Sequence, residues 1–128
     1  MIRILITSQA RYPTDIRELR ERVKTTLTEQ GVGQAEVSVA LVGERKMREL
    51  AQKYLGESSK YPVHEVLSFP SSGDIAFPDP GELTQLGDIV ICYPEARKIA
   101  IKRNRMMDDV IGELAQHATL HLLGIHHD

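Results

Sequence analysis

The hydrophobic pattern of this 128-residue chain changes period repeatedly, and that switching constrains the fold more than any other feature. Ile2, Ile4 and Ile6 recur at every second position, the spacing of a strand with one face more strongly buried. Pro13, Thr14 and Asp15 then form a turn and an N-cap, and Ile16, Leu19, Val23 and Leu27 recur at three and four, which predicts an amphipathic helix ending near Gly31. Period two returns from Glu36 to Val42. Met47, Leu50, Ala51 and Tyr54 go back to helical spacing, stopped at Gly56. A short β-rich run covers Glu65 to Pro70, and an apolar strand covers Gly87 to Tyr93. Pro94 suits the first turn of a helix over Glu95 to Arg105, and Asp108 or Asp109 opens a last helix, where carboxylates lie at the positive end of the helix dipole. The predicted order is β-α-β-α-β-β-α-α. It describes a single α/β (α+β) domain over residues 1–128, a mixed four-stranded sheet packed with four to five helices.

One stretch escapes both periods. Ser71 to Gln85 holds Gly73, Pro78, Pro80 and Gly81 without an apolar repeat. It reads either as a functional loop, a lid or substrate-binding segment, or as a β-hairpin with an unrecognised turn.

Composition excludes several classes of function. A net charge of −2 gives no long-range attraction to phosphate, so any nucleic-acid role must rest on a local patch. Trp is absent and aromatics amount to 5%, which argues against a platform that stacks unpaired bases. The amino-terminal apolar run is too short for a signal peptide, and no run is long enough to span a bilayer. A single cysteine, Cys92, rules out a disulfide framework and sits in an apolar strand as inert core. The expected location is the cytoplasm.

Chemistry concentrates at the carboxy-terminal stretch HATLHLLGIHHD, which contains four of the five histidines. His117 and His121 are four apart, so on a helix both imidazoles project from one side and can point at one ion. They fall on a stripe with Val110 and Leu114, which places them towards the interior. Gly124 can end the helix and turn the chain back, so that His127 approaches the same point. Three histidines with an open position form a catalytic rather than a structural zinc pattern. The competing reading is an ordinary exposed or core-satisfied histidine pair.

The same stretch is similar to the H-G-x-L-H-L-x-G-Y-D-H signature of the YbeY family, bacterial zinc-dependent endoribonucleases linked to ribosomal RNA maturation. VLSFP at Val66 to Pro70 resembles that family's T-D-V-L-S-F-P, and Leu86-Gly87-Asp88-Ile89-Val90-Ile91 its L-G-D-I-V-I. The resemblance implies that His117, His121 and His127 ligate one zinc ion, and that the segments around Ser68 and Asp88 face the site. Asp88 on its own reads as a structural residue that caps a turn at the start of a strand. Several positions depart from the pattern: Ala118 replaces Gly, His126 replaces the Asp before the last ligand, Leu55 replaces an Arg associated with activity, and His64-Glu65 replaces Thr-Asp. Family members continue past the motif, whereas this sequence ends at Asp128.

The resemblance thus implies hydrolysis of single-stranded, ribosomal RNA, with ribosomal subunits or ribosomal proteins as further partners and no membrane. His126, Glu65 and His64 are candidates for proton handling. Arg97, Lys98, Lys102, Arg103 and Arg105 form a cationic run without an acid among them, in which Lys98, Lys102 and Arg105 share a helical face. Together with Lys60, they are the expected RNA contacts, against the plainer reading of a solvated helix surface. Peptide hydrolysis is the rival enzymatic reading, opposed by Ala118 where an H-E-x-x-H protease carries its glutamate. A metal-stabilised ribosome-binding module is the rival outside catalysis.

Overall fold

A computed structural model of the chain describes residues 1–71 and 84–125. The element order is β1 (Ile2–Ser8), α1 (Ile16–Glu29), β2 (Ala35–Val42), α2 (Glu44–Leu55), β3 (Val66–Pro70), β4 (Gln85–Cys92), α3 (Tyr93–Arg103) and α4 (Met107–Leu122). This is the predicted order, with four helices among the described residues. The strands form one sheet in the order β1-β2-β4-β3. β1 and β4 flank β2 in parallel, while β3 runs antiparallel to β4, so the sheet is mixed.

Period two in the sequence becomes two chemically different sheet faces. Ala35, Val37, Val39 and Leu41 of β2 are fully buried on one face with Ile89 and Ile91 of β4, under Leu19, Val23 and Leu27 of α1 and Val110, Ile111, Ala115 and Ala118 of α4. Each large buried side chain contributes about 1.5–3 kcal/mol relative to exposure, so packing outweighs propensity in holding α1 to the sheet. Asp15 caps that helix by accepting from the Glu18 amide at 3.0 Å. The other face carries Val42, Val90 and Cys92, covered by Met47 of α2 with Leu67 and Phe69 of β3 alongside. Burial pushes the Cys92 thiol pKa up and keeps it an unreactive core group.

Antiparallel pairing runs from Val66 opposite Ile91 to Pro70 opposite Gly87, and the Ser71 amide donates to the Leu86 carbonyl at 2.9 Å. β3 and β4 are therefore hairpin partners. The unpatterned stretch between them lies, from 72 to 83, outside the described residues. Residues opposite each other in such a ladder share a face, so Ser68 and Ile89 look towards α4, while Phe69 and Asp88 look towards α2.

Three expectations need correction. The helix predicted to Arg105 ends at Arg103, because Asn104 adopts a left-handed conformation, with φ of 50°, and caps it. Arg105 consequently does not extend the helical face of Lys98 and Lys102. The buried stripe of α4 consists of Val110, Ile111, Ala115, Ala118, Thr119 and Leu122; His117 is exposed and His121 half-buried. The histidines therefore border the interior instead of facing it. Asp88 lies inside β4 and does not cap a turn; its carboxylate accepts a hydrogen bond from the Ser38 hydroxyl of β2.

Candidate metal centre and nucleic-acid interface

α4 holds His117 and His121 one turn apart, with ring centroids 4.6 Å apart and planes tilted by 56°. Zinc–nitrogen bonds of about 2.0–2.1 Å place two imidazoles on one ion at a comparable ring separation, so the pair fits two ligand positions. Just beyond them, the Gly124 amide donates to the His121 carbonyl at 3.0 Å and the Ile125 amide to the Leu120 carbonyl at 2.9 Å. Gly124 takes φ of 79°, the left-handed conformation of a helix-terminating glycine, and ends the helix where the sequence places its end. His126 and His127 lie outside the described residues. Among the described residues no group of three potential ligands converges.

His117 stands between two hollows. One, of about 200 Å³, is lined by Glu65, Arg103, Arg105, Glu113 and His117 over a floor of Ile99, Val110 and Leu114. The other, of about 380 Å³, is lined by Arg22, Glu113, Gln116, His117 and Leu120. The first brings together residues proposed from the sequence for three separate roles: a metal ligand, a proton-handling carboxylate and two phosphate contacts. Glu113, one helical turn before His117, belongs to both hollows and was missed; its spacing of four from the first histidine was the available signal.

The cationic run divides once its spatial partners are known. Arg105 is clamped by both carboxylate oxygens of Glu113, at 2.5 and 2.7 Å. That pairing raises the Arg105 pKa and lowers that of Glu113, chiefly through the hydrogen bonds between them. Lys98 lies 3.3 Å from Glu95 and 3.5 Å from Glu44, and its pKa is raised by the hydrogen bond to Glu95 and by the charges of both acids. The Arg97 guanidinium sits 5.4 Å from the Tyr93 ring centroid. Lys102 and Arg103 are exposed and form no ion pair among the described residues. Of these two, Arg103 lines the hollow with His117. Lys60 is exposed in the connection from α2 to β3.

The two described candidates for proton handling separate as well. His64 Nε2 lies 2.7 and 2.8 Å from the oxygens of Glu57, and its ring stacks on Tyr61 at 5.8 Å. Glu65 is exposed, lines the His117 hollow, and is anchored through its backbone carbonyl, which accepts from the Cys92 amide at 2.9 Å. Ser68 lies on the sheet face beneath α4. Asp88 faces the other way, so the implied orientation of its segment towards the histidines is not observed for its side chain.

Residues 5–128 match a family described as Endoribonuclease YbeY. A protein of that name from Syntrophus aciditrophicus is 31% identical over 120 residues, covering 94% of this chain and 72% of the relative. One from Anaeromyxobacter is 35% identical over 112 residues, 88% of this chain and 54% of the relative. Another from Thermus thermophilus is 35% identical over 114 residues, 88% of this chain and 76% of the relative. Among solved structures, the solution structure of TM1509 from Thermotoga maritima is similar, with a TM-score of 0.58 and 26% identity, covering 100% of this chain and 75% of that one.

Proposed function

This chain belongs to the Endoribonuclease YbeY family, and on that premise we propose that it is a zinc-dependent endoribonuclease that hydrolyses single-stranded RNA during ribosomal RNA maturation in the cytoplasm. The observation that carries the metal-dependent part is the His117–His121 pair, one turn apart on α4, beside a hollow that also holds Glu65 and Arg103. His117, His121 and His127 are the ligands. These residues would hold a divalent ion, which when bound would supply Lewis-acid activation of a phosphoryl oxygen and of water at neutral pH.

The chain's own residues supply the rest. Arg103 presents a guanidinium, unpaired among the described residues, that can grip a phosphate with two parallel hydrogen bonds. Glu65 is the described carboxylate best placed to take a proton from the attacking oxygen, since His64 is engaged by Glu57. His126 is a further proton-handling candidate. Peptide hydrolysis is disfavoured because the residue after the first histidine is Ala118, buried in the core where no general base can reach a substrate.

The test is metal analysis of the purified, tag-free protein together with cleavage of single-stranded RNA and of casein. Stoichiometric zinc and RNA cleavage by the native chain, both lost in His121→Ala, are expected, with casein untouched. A protein that holds no metal and cannot be reloaded, or RNA cleavage that survives His121→Ala, overturns the proposal.

A further inference from the structure

His117 divides two hollows on α4, and each is lined by arginine. At about 100° per residue round the helix, Leu114 falls to one side of His117, with the hollow of Arg103, while Gln116 and Leu120 fall to the other. The second hollow, of about 380 Å³, takes a cation from α1: Arg22, half-buried where α1 packs on α4. Its Nε donates to Gln116 Oε1 at 2.9 Å, which fixes the plane of the guanidinium. Its outer end lies against α4 at Gly112, where a Cβ would stand 3.4 Å from Nη1 and 3.8 Å from Cζ. Among the described residues, neither Nη group hydrogen-bonds an acceptor or joins an ion pair. An oriented guanidinium with its Nη groups open is the fork that matches phosphate. Glu113 belongs to both hollows without making them anionic. Both its oxygens are taken by Arg105, and the charges of Arg22 and Arg103 also act on it. Together, the two linings hold three arginines against two glutamates.

We propose that Arg22 binds a phosphate flanking the scissile one, on the side of His117 away from Arg103, so that the RNA strand crosses α4 at the histidines. The inference rests on the chain acting on single-stranded RNA. A strand that brings one phosphate to His117 carries the next towards one hollow or both, because His117 lines both. Contacts to phosphate fix register and orientation and carry no sequence information, so Arg22 decides where the strand lies and not which base is cut. Holding a flanking phosphate restricts the strand beside the reacting one, which favours the reactive geometry. Packing of α1 on α4 is the plainer role for the same side chain. The two are separated by coupling, since only a phosphate contact ties the effect of Arg22 to one linkage of the RNA.

The test measures cleavage of a short single-stranded RNA with a mapped cleavage site by the metal-loaded protein, with one neutral methylphosphonate placed in turn at each linkage flanking the scissile one. In the native chain, at least one flanking position is expected to lower kcat/KM about tenfold, chiefly through KM, the range of one hydrogen-bonded contact to a charged group. In Arg22→Gln the neutral linkage at that position should cost nothing further, whereas in Arg103→Gln its cost there should persist. Arg22→Lys keeps the charge but loses the fork, and should retain a cost of about threefold. Circular dichroism of each variant checks that it is folded.

A native chain insensitive to every flanking linkage overturns the Arg22 contact without recourse to any variant, and leaves the endoribonuclease assignment standing. The same follows if each position costs equally in native and Arg22→Gln proteins. A uniform fall in rate in Arg22→Gln, with a lower Tm and an unchanged linkage pattern, assigns the residue to helix packing and likewise overturns the proposal. Should Arg22→Gln not fold, Arg22→Lys carries the comparison, and an undiminished cost there has the same meaning. No cleavage of any of these RNAs by the metal-loaded native chain overturns both readings.

Discussion

Replacing Gly87 by alanine is expected to damage the fold at the junction between the sheet and the histidine-bearing helix. Gly87 has φ of 144°, and a Cβ built there would lie 2.3 Å from the Phe69 carbonyl oxygen, 2.9 Å from Pro70 Cα and 2.9 Å from Leu122 Cδ2. The first two are backbone atoms of the paired strand, so no rotamer change relieves them. Only a shift of β3 away from β4 does, and that lengthens the ladder next to the Ser71–Leu86 hydrogen bond. A non-glycine residue in such a conformation costs about 1–3 kcal/mol, and forced overpacking costs about 1–3 kcal/mol more. The sum, about 2–6 kcal/mol, is a large share of the roughly 5–15 kcal/mol that stabilises a domain. Urea denaturation followed by circular dichroism measures the loss directly. Gly33→Ala is the control, with no atom within 4 Å of the added carbon, and should stay within about 0.5 kcal/mol of native. Since Leu122 follows His121, the Gly87 variant should also bind zinc about tenfold or more weakly, a typical penalty for disturbing a ligand's support. A Gly87→Ala protein within about 0.5 kcal/mol of native in urea refutes the reasoning.

Three further outcomes follow from the same geometry. Arg103→Ala should reduce the slope of log binding constant against log salt for single-stranded RNA by about 0.7, one phosphate contact, while Lys98→Ala and Arg105→Ala, whose charges are already paired, leave the slope nearly unchanged; equal effects of all three would defeat the division drawn between them. Glu113 has its pKa lowered from 4.5 by Arg105, so the stability it contributes is present above pH 4.5 and fades as pH falls through the lower folded value. The Tm difference between native and Glu113→Gln proteins should therefore be small, because the side chain is 49% exposed, constant at neutral pH, and absent in strong acid; a difference that grows on acidification refutes it. Asp15→Ala should cost about 0.5–2 kcal/mol in chemical denaturation through loss of the cap on the Glu18 amide, with Asp15→Asn recovering most of it; equal losses in the two variants would exclude the cap as the cause.

Element order was legible because each element buries a face, and burial writes its period into the sequence. Val37, Val39 and Leu41 alternate because one side of β2 is fully buried, and Leu19, Val23 and Leu27 recur at three and four because one side of α1 lies against it. Helix ends were legible where a residue type is required, as at Gly56, which takes φ of 67°. The end of α3 was not, since Asn104 performs the same left-handed turn with a residue that has many other uses. The sheet faces escaped for another reason. Period two says that Asp88 and Ile89 point oppositely, but which of them looks towards α4 depends on strand order and pairing, which are long-range facts.

The functional residues show where sequence spacing stops being informative. Helical period places His117 and His121 on one side of α4, and the structure keeps them there. Period alone cannot say where a buried stripe ends, and the boundary runs beside the two imidazoles, leaving one exposed. That boundary suits the proposed chemistry, because a histidine pair sealed in the core could not meet a polymer substrate. The cationic run reads as uniform because no acid interrupts it, yet Glu113 lies eight residues from Arg105 and Glu44 lies 54 residues from Lys98. Pairing gives those two cations acidic partners and leaves Arg103, among the described residues, as the unpaired cation of the run that lines the histidine hollow.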